Sequence, residues 1–177
     1  MIFRRKFEAA HRLIHGVNAN TLCSQPHGHT WEVLVGIEHK TRQTLDGTAN
    51  VLIPFAQAKG DWHRFVDGAL DHACFLGSED PLVTFLRQHN PDGRLLITKG
   101  DPTTEALACL LLLKLKALLE KSAPELQAKW IHVQETQTNA IRITSDEAQR
   151  WLGSQHDPKT RAASYWWSRA DMSTHDL

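Results

Sequence analysis

Phe7-Glu-Ala-Ala-His11-Arg-Leu13, followed by Cys23-Ser-Gln-Pro-His27-Gly28-His29, is the stretch whose phase decides how this chain folds. Side chains alternate along an extended segment, so His27 and His29 project to one side and can grip one ion together. If residues 29–38 form a strand, Trp31, Val33, Val35 and Ile37 share a face, and the two histidines fall in step with it. In the first segment Phe3, Phe7, Ala9 and His11 take one parity, while Arg4, Lys6 and Glu8 take the other. The spacing therefore predicts two strands that aim three imidazoles at the apolar side. His15 is a rival to His11 as the third ligand.

Zinc suits such a set. It accepts three neutral imidazole nitrogens and keeps a fourth tetrahedral position for water or substrate, whereas a structural zinc normally has four protein ligands. An HxH pair alone is weak in a chain with 11 histidines; the third in-phase histidine strengthens it. Cys23 reads in two ways. A lone cysteine is commonly a small buried hydrophobe, but Ser24-Gln25-Pro26 is polar and places the thiol at the rim of the site, where a cation favours the thiolate.

With 177 residues, 41% apolar and 23% charged, the chain reads as one soluble domain long enough for a real core. A formal net charge of zero offers no field for nucleic acid or acidic membranes, and neither a signal-like apolar start nor a membrane-length apolar run is present. The expected compartment is cytoplasmic. Cysteines at 23, 74 and 109, odd in number and without CxxC spacing, are a poor disulfide framework and suit reducing conditions. Cys109 reads as core. No internal repeat or low-complexity segment stands out.

Further along, Phe55, Ala58, Trp62, Phe65, Val66 and Ala69 form a helical stripe over 55–69, weakened by Gly60. Asp80-Pro81 opens a short helix to about residue 89, and Arg94 to Thr98 reads as a short strand. The clearest helix is 103–121, with leucines at helical spacing after Asp101-Pro102 and proline in its first turn. Two last strands, near 129–136 and 140–144, flank the turn Gln137-Thr-Asn139. Glu135 shares the parity of Ile131 and Val133, so its carboxylate points inward. Such a carboxylate needs donors; read from the residues alone, an arginine partner is the simpler explanation. Thr104 and Glu105 make sense as first-turn helix residues, and Asp71-His72 alone reads as a solvated pair.

Five phrases in order change the weight of these readings: Phe7-Glu-Ala-Ala-His11-Arg-Leu, Cys23-x3-His27-Gly-His29, Leu70-Asp71-His72, Pro102-Thr-Thr-Glu105 and Glu135-Thr136. The chain over roughly residues 1–145 resembles the 6-pyruvoyltetrahydropterin synthase and 6-carboxytetrahydropterin synthase family. The resemblance implies an α+β tunnelling fold (T-fold): a four-stranded antiparallel sheet, helices on one face, and subunits joined into a barrel-like homo-oligomer, often a hexamer. It implies a pterin synthase-like domain over 1–150 and an extension over 151–177 without a counterpart. It also implies zinc on His11, His27 and His29, and Glu135 anchoring a pterin ring with Thr104 and Glu105 nearby. Cys23 would be the base, and Asp71 and His72 proton-relay partners acting across a subunit boundary. The implied substrate is 7,8-dihydroneopterin triphosphate. The favoured product is 6-carboxy-5,6,7,8-tetrahydropterin, toward queuosine and 7-deazapurines; the alternative stops at triphosphate elimination and 6-pyruvoyltetrahydropterin.

The chain departs from the family pattern at three places. Pro54-Phe55 stands where an acidic or amide residue usually precedes the phenylalanine, an expected asparagine is missing from Ala73-Cys-Phe-Leu-Gly77, and the insert over 77–101 is long. These keep open a non-catalytic T-fold protein that binds a pterin or purine-like ligand. An unrelated zinc hydrolase is disfavoured, since no HExxH helix occurs. The cluster Tyr165, Trp166 and Trp167 reads as packing on its own domain, with docking on a neighbour or covering the site as alternatives.

Overall fold

The computed structural model describes residues 1–41, 44–152 and 165–176. The chain runs β1 (Ile2–His11), β2 (His27–His39), α1 (Phe55–Phe65), β3 (Ala73–Gly77), α2 (Pro81–His89), β4 (Leu95–Thr98), α3 (Thr104–Ser122), β5 (Leu126–Gln134), β6 (Ala140–Thr144) and α4 (Ser145–Leu152). One sheet collects the strands in the order β4-β3-β1-β2-β5-β6. It has six strands, not the expected four, and it is mixed: β1-β2, β2-β5 and β5-β6 are antiparallel, while β3 runs parallel to both β1 and β4.

The segment over 77–101 accounts for part of the difference. Asp80 caps α2, its Oδ1 accepting from Leu82 N at 2.8 Å with Pro81 in the first turn. The helix then delivers β4 to the sheet as a crossover, the connection parallel strands require. The segment Ala73–Gly77 has no alternating pattern because both of its faces are covered, and its strand went unread.

β1 and β2 follow the predicted phase. Phe3, Phe7, Ala9 and His11 are buried on one face with Trp31, Val33, Val35 and Ile37, and all the helices that share this core lie over that face. The other face carries charge, with Glu32 paired to Arg4 and Lys6 at 3.4 Å. β2 begins two residues earlier than expected, so both metal-candidate histidines are strand residues paired with β1, His27 opposite His11 and His29 opposite Ala9. Gly36 sits opposite Trp130, and a Cβ there would lie 2.2 Å from the indole; the glycine lets the ring cross the sheet, with Arg142 4.2 Å over its centroid.

α1 is unbroken at Gly60, but it ends at Phe65 and passes into a π-turn over Val66–Leu70. Phe55, expected on the buried stripe, is exposed. Pro54 precedes α1 and provides no side-chain cap. α3 starts one residue later than predicted: Thr103 is the cap, accepting from Ala106 N at 3.3 Å, and Pro102 therefore lies before the helix rather than in its first turn. Cys109 is in the core, its thiol raised to about 11 by burial and by Glu105.

Of the extension over 151–177, residues 153–164 and 177 lie outside the described residues. Residues 165–176 fold back over α3. Trp166 is fully buried, stacks on Phe65 and donates from Nε1 to Ile97 O at 3.0 Å. Thr174 takes the outer edge of β4, its carbonyl accepting from Ile97 N at 2.8 Å and its hydroxyl donating to Leu95 O. The aromatic cluster packs on its own domain. Among the described residues no helix is long and apolar enough to cross a membrane.

Candidate metal centre and active site

The pairing of β1 with β2 brings three imidazoles to one point. His11, His27 and His29 form a cluster whose ligand atoms all lie within 4.8 Å of one another. The Nε2 atoms of His11 and His27 are 3.1 Å apart. Two carbonyls set the tautomers: His11 Nδ1 donates to Pro102 O at 3.1 Å, and His27 Nδ1 donates to Gln25 O at 2.8 Å. Each ring therefore presents the lone pair of Nε2 to the centre. His29 Nε2 is buried and has no hydrogen-bond partner among the described residues. Glu135 adds a carboxylate oxygen 3.3 Å from His11 Nε2 and 4.0 Å from His29 Nε2.

Lone pairs and a carboxylate directed at one another repel unless a cation lies between them. Imidazole nitrogens about 2.0–2.1 Å from one tetrahedral ion stand about 3.3 Å apart, close to the 3.1 Å between His11 and His27. A shared proton is the other solution, but burial works against it. His11 is 1% exposed; burial lowers it to about 4, with His27 and His29 adding to the fall against the Pro102 hydrogen bond. Burial likewise lowers His29, opposed by Glu135. The donor set fits zinc, with both hydrogen-bonded tautomers already fixed for ligation. Trp31 backs the centre, its ring edge-on to His11 at 5.2 Å and to His29 at 5.6 Å, and it is itself held by a 3.2 Å bond from Nε1 to Ala9 O. His15 is not in the cluster: its Nδ1 bonds Asp101 Oδ1 at 2.8 Å, which resolves the rivalry for His11.

The imidazoles open onto a cavity of about 700 Å³ whose lining includes Cys23, Thr104, Glu105, Glu135, Thr136 and Asn139. Cys23 sits in a one-turn 3-10 segment capped by Thr21 and is half-buried, at the rim as its polar neighbours suggested. Glu135 lies just past β5 where the hairpin continues, its N–H donating to Asn139 O at 3.1 Å, and no arginine is paired with it among the described residues. Thr104 is buried in the first turn of α3, and Glu105 is exposed there.

Asp71 and His72 stand apart. Neither lines the cavity. Ala73 pairs with Ala9 and His72 donates its N–H to Glu8 O, so His72 lies beside Glu8, three residues and roughly 10 Å along β1 from His11. His72 adopts φ 61° and its side chain is 77% exposed. Its Nδ1 is 2.8 Å from Asp71 Oδ2, and Asp71 Oδ1 accepts from Glu8 N at 3.0 Å; these bonds hold the Asp71 carboxyl below its usual range against slight desolvation.

Sequence reasoning missed the carbonyls of Pro102 and Gln25, which are invisible to side-chain patterns, and Asp101, which it read only as part of a helix start. The fold and this centre define an α+β protein with a curled mixed sheet, consistent with a T-fold, in which three histidines that could hold a metal open onto a cavity. Comparison with known proteins makes the class specific. The model of the 6-pyruvoyl tetrahydropterin synthase family matches residues 1–146, and the chain belongs to that family. It is 29% identical over 124 residues, 66% of this chain and 69% of the relative, to a probable 6-carboxy-5,6,7,8-tetrahydropterin synthase of Halobacterium salinarum. Its fold is similar to the crystal structure of an uncharacterized protein of Wolinella succinogenes, with a TM-score of 0.65 at 19% identity over 81% of this chain and 96% of that one.

Proposed function

We propose that this protein is a zinc-dependent lyase that converts 7,8-dihydroneopterin triphosphate to 6-carboxy-5,6,7,8-tetrahydropterin, a step toward queuosine and other 7-deazapurines in the cytoplasm. The observation that carries the reading is the convergence of three imidazoles on a cavity that also holds Cys23 and Glu135, in a chain of this family. The Halobacterium relative's name supports the carboxy product. Zinc, when bound to His11, His27 and His29, supplies Lewis-acid polarisation of a substrate oxygen. Glu135 accepts from the 2-amino group and adjacent ring N–H of the pterin, the Thr104 hydroxyl and Glu105 flank the ring, and Cys23 removes a side-chain proton.

Within one chain the Asp71-His72 pair does not reach this cavity, so its proton-relay role requires a second copy. The sheet edges favour one route. β4's outer edge is taken by Thr174, whereas β6 ends the sheet, and Ala140 and Ile141 of β6 line the cavity. A neighbour adding to β6 would approach the site, which fits closure into a homo-oligomer such as a hexamer.

The test is mass-resolved chromatography after zinc-loaded protein meets 7,8-dihydroneopterin triphosphate. Carboxytetrahydropterin with acetaldehyde is the expected result. The pyruvoyl product would reassign the chain to triphosphate elimination alone. Substrate bound and recovered unchanged would support the non-catalytic reading.

A further inference from the structure

The Asp101-Pro102 dipeptide touches both halves of the candidate site. The Pro102 carbonyl accepts from His11 Nδ1 and so orients a metal-candidate imidazole. One residue earlier, the Asp101 carboxylate accepts three bonds from the segment that follows His11: Ile14 N at 3.0 Å, His15 N at 2.9 Å and His15 Nδ1 at 2.8 Å. Leu13, next in line, donates its N–H to Cys23 O at 2.8 Å. The chain from His11 through Leu13 to Cys23 is thus fixed at one end by Pro102, at its middle by Asp101, and through Leu13 to the thiol-bearing turn. The Asp101 side chain is only 9% exposed, and its own carbonyl accepts from Thr103 N at 2.9 Å, which tightens the turn into α3.

The backbone N–H groups of residues 14 and 15 are held by this carboxylate, and the His15 ring lies also 3.8 Å from Glu79 through Nε2. Arg12 makes a separate bond, Nε to Asp80 Oδ2 at 2.7 Å, which ties the start of the loop to α2. The 3-10 turns at Gly16–Asn18 and Leu22–Ser24 are one turn each, and Val17 and Leu22 are exposed. Removing the carboxylate leaves two backbone N–H groups without their acceptor and frees the loop between Arg12 and Cys23.

We propose that Asp101 is a positioning residue for the reaction: through Ile14 and His15 it sets where Cys23 stands, and through the turn it shares with Pro102 it sets the orientation of His11. It does not touch the substrate. The proposal rests on the reading of this cavity as the active site, but its test uses no pterin, so either can fail while the other stands.

The experiment compares Asp101→Ala, Asp101→Asn and His15→Ala with the parent by two readouts. One is the rate at which iodoacetamide alkylates Cys23 in metal-free protein, resolved by peptide mass from Cys74 and Cys109. The other is zinc affinity by chelator competition. Asp101→Ala is expected to raise Cys23 alkylation several-fold and weaken zinc about tenfold, the scale of lost ligand-orienting bonds. Asp101→Asn, which keeps one acceptor oxygen, falls between; His15→Ala, which keeps both backbone donors, stays within about twofold of the parent by the same reasoning. Half-buried Cys74 on β3 is the internal control. If Cys74 accelerates in parallel, Asp101 has a general structural role and the proposal fails. It also fails if either Cys23 or zinc is unmoved in folded Asp101→Ala.

Discussion

At the scale of the residue, the three histidines differ in what they contribute. His11 is buried, doubly constrained and backed by Trp31, whereas His27 lies half-exposed at the mouth with one hydrogen bond to Gln25 O. His27→Ala is therefore expected to remove zinc without unfolding the sheet, measured as metal content after dialysis with the melting profile of the metal-free parent. Cys23→Ala is expected to keep zinc and bound pterin while turnover falls at least about a hundredfold, the lower scale for loss of a positioned base. Full activity in Cys23→Ala would remove the thiol from the mechanism. The spacing of these side chains was legible because strand periodicity fixes their direction, but the tautomers were not, since they are set by carbonyls 91 and 2 residues away.

The element that carries the least expected chemistry is α3. Lys114 is fully buried at its centre, and its ammonium donates to Trp166 O, Arg169 O, Ser173 O and Asp171 Oδ1 at 2.8–3.3 Å. Phe65 and Trp166 lie with ring centroids 5.0 and 5.8 Å from Nζ. The returning segment over 165–176 covers this position and supplies all four of these acceptors. Lys114→Met strands those acceptors and is expected to cost about 3 kcal/mol at pH 7, read by urea unfolding. Burial lowers Lys114 to about 8, against the opposing pull of Asp171. An unfolded lysine holds its proton to about 10.4, so between these values the unfolded chain binds more protons and stability rises with pH. The parent should therefore gain about 3 kcal/mol relative to Lys114→Met between pH 7 and 10.5; a constant difference would mean that Lys114 titrates normally.

For the whole molecule, the question is how Asp71-His72 could join Cys23 when one chain holds them apart. If neighbouring copies share sites, mixing inactive Cys23→Ala protein with inactive His72→Ala protein and allowing subunits to exchange restores part of the activity, because some sites then draw an intact group from each copy. No recovery from mixed oligomers would confine the chemistry to one chain. The C-terminal segment bears on assembly from the opposite edge. A chain ended at residue 152 loses Thr174 from β4 and the acceptors of Lys114, and it is expected to associate with concentration in sedimentation experiments, since an uncovered strand edge invites further pairing.

By itself the sequence determined the parity of β1 and β2, the apolar face of the sheet, the pairing of His27 with His29 on that face, and the boundaries of α2 and β4 to within a residue. These follow from local periodicity and cap chemistry, which act over a few residues. Only the tertiary structure decided that β3 and β4 extend the sheet in parallel, that Asp101 and Pro102 brace the site, and that the aromatic tail closes over Lys114. Those features depend on backbone carbonyls, crossover connections and contacts between distant segments, and such contacts leave no period in the chain to read.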